Sequence, residues 1–214
     1  MSSALLLALD TSTSIASVAV FDGERVLSET TWLAGREHST RVLLEVEIAL
    51  ERIGRAAADL TGLAVARGPG SFTGVRVALS VAKGIAAGFG IPAWGVDSLD
   101  VLALAAGSCT LPVRAVIEAG RGRYATALYR DDHVVDTPRL ARLHELIGLV
   151  TEPTLVIGEL GPAARQELAQ GRDVRLAPIA GSARRAGFLA ELGWRAALRG
   201  EPGDPRLLDA VYLS

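Results

Sequence analysis

Lysine is nearly missing from this chain: of 22 basic residues only Lys83 is a lysine, and the rest are arginines. Cysteine is equally scarce. The lone Cys109 excludes an internal disulfide framework and cannot by itself build a thiolate metal site, so it reads as a small buried hydrophobe. Only 5% of the residues are aromatic against 50% hydrophobic, which makes the core aliphatic, built from Ala, Val, Leu and Ile. Charge of one sign is lacking too. A formal net charge of -2 offers no general electrostatic footprint for nucleic acid or an anionic membrane, so RNA binding by the isolated chain is not expected. The apolar run at Ala4–Leu9 stops at Asp10 and has no basic flank before it, unlike a signal peptide or a membrane span, and a cytoplasmic location is expected. The three histidines, His38, His133 and His144, are too scattered to form a metal motif.

What is present is concentrated in residues 66–84, ARGPGSFTGVRVALSVAKG, where a glycine-rich loop leaves an apolar strand and opens into a helix of small residues. Gly68, Gly70 and Gly74 permit close backbone approach, and Ser71 or Thr73 can cap a helix whose N-terminus favours an anion. It is not a Walker A loop. Thr73 stands where the second glycine should be, and Lys83 lies well inside the helix. Phosphate binding and an ordinary tight strand-to-helix turn are both open readings.

The chain of 214 residues is long enough for one large domain or two small ones. Continuous apolar runs predict strands at 4–10 and 15–21, and Asp22-Gly23 is a hairpin turn leading to a third strand near 25–32. A helix over 38–53, a strand over 60–66, a helix over 74–89 and a strand over 92–96 follow, before another helix. After Pro112 the pattern restarts. Residues 10–27 lie without gaps over residues 118–135, each copy putting an acidic residue, Asp10 or Glu118, at a strand end before a turn and a second strand. A helix over 139–150, a strand over 154–157, and helices near 162–170 and 182–199 complete a degenerate second half. A duplicated α/β fold with lobes at 1–108 and 109–214 is the expected architecture.

Asp10, followed by Thr11, Ser12 and Thr13 at a strand end, is suited to a metal-bound phosphate, which together with Gly70 and Ser71 gives a candidate anion loop. The alternative is that these groups satisfy backbone donors in a tight turn. A hydrolase built from Ser12 or Ser71 with His38 and Asp10 lacks a nucleophile-elbow spacing. At about 100° per residue, Val42, Leu43, Val46, Ala49, Leu50 and Ile53 form one stripe of the first helix. Leu44 and Ile48 fall on the other side, among charges. The helix over 75–89 is apolar or small nearly all round, with Gly84 and Gly88 allowing close helix contact, so a second buried face is expected.

The segments LALDTSTSIASVAVFDG, EHS at 37–39, ARGPGSFTGVRVALSVAKGIA and GIPAWGVDSLDVLA, with IEAGRGRYATALY in the second half, resemble the bacterial TsaB (YeaZ) family in order and spacing. The resemblance implies the actin/Hsp70/sugar-kinase fold, a duplicated ribonuclease-H-like unit with a reduced second lobe. It implies a non-catalytic role without cofactor in making threonylcarbamoyladenosine at position 37 of tRNA, beside the transferase TsaD and the ATPase TsaE. Pairing with TsaD, or with a second copy when alone, would use the N-terminal helices through Leu44, Ile48, Val77, Val81, Gly84 and Gly88. The metal-binding His-x-x-x-His of TsaD falls on Ser98 and Leu102, so no metal and no catalytic residue are expected. The chain departs from the family at Glu118–Ala125, where Asp-Ala-Arg-Arg-Gly-Glu-Val-Tyr is usual and Arg123 replaces an acidic residue. The kinase-like fold leaves one alternative, an ATP-dependent phosphotransferase acting through Asp10 and the Gly68–Gly74 loop.

Overall fold

Two mixed sheets organise the chain, which a computed structural model describes over residues 4–34, 38–131 and 133–213. The first begins as an antiparallel meander, β1 (Leu6–Asp10), β2 (Ile15–Phe21) and β3 (Val26–Leu33). Helix α1 (His38–Glu51), strand β4 (Gly62–Ala66), helix α2 (Phe72–Phe89) and strand β5 (Ala93–Val96) complete it. The strand order is β3-β2-β1-β4-β5, with β4 and β5 parallel to β1. All five residues of β1 and of β4 are buried, as central strands covered on both faces must be. Leu7, Leu9, Val18, Val20, Leu63 and Val65 pack against α1 and α2 on one face.

The other face is covered from far along the chain. Helix α6 (Ala186–Leu198) lies across β1, β2 and β4, and a Cβ on Gly193 would stand 2.5 Å from the Ala64 Cβ. Glycine there lets the helix backbone approach the sheet. Consequently the compact units are Met1–Asp97 with Arg185–Val211, and Ser98–Arg184 with Tyr212–Ser214, not the continuous halves 1–108 and 109–214. Two physical causes move the boundary. The apolar side of α6, with Leu189, Ala190 and Ala196 buried, is needed to close the first sheet, and helix α3 (Ser98–Ala105) puts Leu99 and Leu102 into the second core.

The second sheet repeats the first. Its strands are β6 (Val113–Glu118), β7 (Arg123–Arg130), β8 (His133–Val134), β9 (Arg139–Arg142), β10 (Thr154–Gly158) and β11 (Val174–Leu176), with helices α4 (Leu143–Gly148) and α5 (Pro162–Leu168) between them. Read through β9, the order β9-β7-β6-β10-β11 is that of the first sheet, and β6 ends at Glu118 as β1 ends at Asp10. This is the duplicated ribonuclease-H-like fold that the repeat predicts. The helix expected over 139–150 is instead β9 followed by the short α4. Arg139–Arg142 pair with β7, and the Glu145 carboxylate accepts from the Arg142 amide at 2.6 Å, which starts the helix there. Strand β11 is absent from the sequence reading, its three residues being too few for a periodic signal.

An ion pair anchors this second unit internally. Arg184 is 1% exposed and meets Glu159 at 2.7 Å. Glu159→Ala removes a charge-assisted hydrogen bond from a buried guanidinium, so we expect a loss of about 2 kcal/mol in unfolding free energy, read from urea denaturation. A change below about 0.5 kcal/mol, the usual range for surface substitutions, would contradict it.

Candidate functional site

The residues of the candidate anion loop do come together, and their geometry assigns the glycines a role. Asp10, Thr11 and Ser12 are 1%, 0% and 0% exposed. The Asp10 Oδ1 accepts from the Ser12 amide at 2.8 Å and from the Ser12 hydroxyl at 2.5 Å, an Asx-type turn. The β1–β2 loop then docks on the start of α2: the Ser71 N–H donates to the Ser12 carbonyl at 2.5 Å, and the Thr11 Oγ1 donates to the Gly74 carbonyl at 2.6 Å. Ser71 caps the helix by accepting from the Gly74 amide at 3.3 Å. A Cβ on Gly70 would lie 2.1 Å from the Ser12 carbonyl oxygen, and one on Gly74 would lie 2.0 Å from that of Thr11. Gly68, at φ +98, has the Val211 carbonyl 2.7 Å from its Cβ position. Each loop glycine is thus pressed against a carbonyl of this chain. The helix N-terminus receives the chain's own oxygen atoms where an anion-binding loop presents its amides to a ligand.

On the outer side of α1 and α2, apolar and small residues are exposed among charged ones such as Arg41, Glu47 and Arg76. Gly74, Val75, Ala78, Leu79, Ala82 and Ala86 form the buried face of α2, leaving Val77 and Val81 half-buried and Gly84 and Gly88 exposed. Neither of those two glycines has an atom within 4 Å of its Cβ position. Leu44 is 53% exposed and Ile48 half-buried. Leu43, assigned to the core stripe by helical periodicity, is 50% exposed, because α1 buries a narrower face of Val42, Val46, Ala49 and Leu50. Buried Glu45 instead lies beside that face and meets Arg41, which stacks over Trp32 at 5.2 Å. At the start of α2, Phe72 is 55% exposed and Arg76 lies 3.7 Å from its ring centroid. A concavity of about 370 Å³ is lined by Phe72, Thr73, Arg76, Val77, Ser80 and Val81. Helix α2 has the length and hydropathy of a membrane span, yet its sheet-facing side is fixed against β4 and β1.

In the second unit, the counterpart of the Asp10 turn is open. Glu118 is exposed, and Gly120, Arg121 and Gly122 all have positive φ. Tyr124 sits among Leu146, Ala164 and Leu168; burial, then the charges of Glu118 and Glu167, push its hydroxyl above the ordinary 10.0. Because the folded value is raised, this group's contribution to stability is full below about pH 10 and is lost as pH rises through the folded value. Glu118→Gln should lower the phenolate midpoint without restoring the ordinary value, since burial is the larger cause; an unchanged midpoint in an absorbance titration would contradict this.

Ser98 and Leu102 are fully buried in α3, and Leu102 packs in the core beneath β6 and β7. Among the described residues, no three His, Cys, Asp or Glu side chains are placed to hold a metal ion. His133 and His144 are exposed, and the His38 side chain and Glu37 lie outside the described residues.

Residues 31–160 match the family model described as TsaD, tRNA N6-adenosine threonylcarbamoyltransferase. The tRNA threonylcarbamoyladenosine biosynthesis protein TsaB of Escherichia coli is 38% identical over 129 residues, 59% of this chain and 55% of that protein. The Bacillus subtilis protein of the same name is 34% identical over 58% of this chain and 55% of its own length. The chain therefore aligns with about half the length of these relatives. A crystal structure from Pseudomonas aeruginosa, of a protein with similarity to peptidase YEAZ, superimposes with a TM-score of 0.83 at 27% identity, covering 99% of this chain and 100% of that one.

Proposed function

The chain belongs to the family of TsaD, the tRNA N6-adenosine threonylcarbamoyltransferase, and within it to the TsaB (YeaZ) proteins, and from that premise we propose that it is a non-catalytic subunit of threonylcarbamoyladenosine synthesis. Its task is to bind and activate a TsaD-like transferase in the cytoplasm, beside a TsaE-like ATPase, and to pair with a second copy when alone. The observation that carries this reading is the outer face of α1 and α2. Leu44 and Ile48 on α1 and Val77, Val81, Gly84 and Gly88 on α2 are apolar or small positions left wholly or partly exposed, and the two glycines let a partner helix approach closely. A subunit that binds one conformation of the transferase in preference to another shifts its population toward that conformation, so activation needs no catalytic group from this chain.

Two features support the absence of catalysis. The Asp10 turn and the start of α2 are closed on one another, and the positions onto which the resemblance puts the transferase's metal-binding histidines are Ser98 and Leu102, both buried, the leucine in an apolar core. A phosphotransferase acting through Asp10 would have to open these contacts; saturable ATP hydrolysis by the isolated chain, lost in Asp10→Ala, would establish it. The test of the main reading is reconstitution from transferase, ATPase, carbamoyl-adenylate synthase, tRNA, ATP, bicarbonate and threonine. Modified adenosine should form only when this chain is added, and full activity without it would refute the role.

A further inference from the structure

The open end of the second sheet gathers positive charge in a protein whose formal net charge is -2. Strand β7 begins at Arg123 and β9 ends at Arg142, and the two residues stand directly opposite each other in the antiparallel register. Opposed residues share a face and hold their Cβ atoms about 5 Å apart, an arrangement that costs stability when the charges are alike. Arg121 precedes them in the turn at φ 55. All three side chains are exposed. Many arginines of this chain meet carboxylates, as Arg25, Arg67, Arg114, Arg130, Arg185 and Arg199 do, while others, such as Arg52 and Arg165, meet hydroxyl or carbonyl oxygens. Among the described residues, the guanidinium groups of Arg121, Arg123 and Arg142 have no such partner.

The acids nearby leave this edge positive. Glu118 is registered opposite Tyr124, on the other face of the sheet, and Glu167 acts on Tyr124 from there too. Glu145 accepts from the Arg142 amide at 2.6 Å and keeps its negative charge, so three guanidinium groups stand against one carboxylate on this edge. Gly120 and Gly122 flank Arg121 with nothing within 4 Å of their Cβ positions, so a ligand can reach the backbone of the turn.

We infer that Arg121, Arg123 and Arg142 form an edge that takes the phosphodiester backbone of RNA. Planar guanidinium groups match phosphate oxygens in pairs, and an anion between Arg123 and Arg142 relieves the repulsion that the register imposes. The choice of RNA rests on the proposed role in tRNA modification. Three cations give weak binding to the isolated chain, consistent with its overall charge, and orient a tRNA already held by a larger assembly.

The test titrates the isolated chain with a short oligouridylate at low salt while amide resonances are followed. Shifts should cluster at 119–124 and 139–144, and the affinity should fall with salt with a logarithmic slope of about -2, as three single-strand phosphate contacts require. Replacing all three arginines with Gln should abolish the clustered shifts; the single variant Arg142→Lys, which keeps the charge and loses the paired geometry, should weaken them. Removing like charges from an exposed edge favours folding, so the triple variant remains a usable reagent. Absent shifts, shifts retained in the triple variant, or equal shifts with polyglutamate would overturn the proposal, the last pointing to an acidic peptide. This measurement needs no transferase, so its failure rejects the arginine edge alone, whereas a failed reconstitution rejects the subunit role alone.

Discussion

Gly74→Ala is expected to cost the first unit about 3 kcal/mol of stability, although alanine favours a helix over glycine by about 1 kcal/mol. The added Cβ would sit 2.0 Å from the Thr11 carbonyl oxygen, far inside van der Waals contact. Neither side can yield cheaply. Thr11 is fully buried, and its hydroxyl is tied to the Gly74 carbonyl at 2.6 Å, so separating the loop from the helix breaks that bond and the one from Ser71 to Ser12 beside it. Two outcomes of urea denaturation decide the matter. A midpoint well below that of the unsubstituted chain supports the docked loop as a fixed structural contact. An unchanged midpoint would mean that the β1–β2 loop can leave the N-terminus of α2 at little cost, and the phosphate-binding reading of that loop would regain its force.

The same glycines show what the sequence could and could not disclose. Three glycines between a strand and a helix announce that something approaches closely. They do not say whether it is a phosphate or a carbonyl oxygen of the same chain, because the approaching group comes from residues 11 and 12, about sixty positions earlier. Local patterns were legible wherever an element buries one face against its neighbours in sequence: β1 to β5, α1 and α2 lie within a few residues of their expected bounds, and the repeat correctly places Asp10 and Glu118 at equivalent strand ends. The division into units was not legible, since the partner of the first sheet's second face is α6, after the whole second sheet. Likewise the sequence 139–142 is too short to show a strand by alternation, and its pairing with β7 is set by tertiary register. The juxtaposition of Arg123 with Arg142 follows from that register. Nothing in either segment alone points to the other.

Leu44→Asp should weaken association with the transferase by at least about thirtyfold, roughly 2 kcal/mol, while leaving the isolated chain folded. The side chain is 53% exposed, so the free subunit loses little packing, whereas the complex must desolvate a carboxylate against an apolar surface. Ile48→Arg should act in the same direction, with a larger effect on the monomer because Ile48 is half-buried. A loss of binding alone does not place the contact, since a charge acts at a distance, and the glycines of α2 supply the independent arm. Gly84→Ala combined with Gly88→Ala puts methyl groups into open space in the free chain, and the gain in helix propensity should stabilise it by about 1 to 2 kcal/mol. At an interface that relies on close helix approach the same methyl groups intrude, so association should weaken as stability rises. Opposite signs in denaturation and in binding identify a surface used by a partner, because a purely internal role for α2 would move both measurements together. Unaltered association in Leu44→Asp and in the double alanine variant would remove α1 and α2 from the interface, and the activating role would then need another surface.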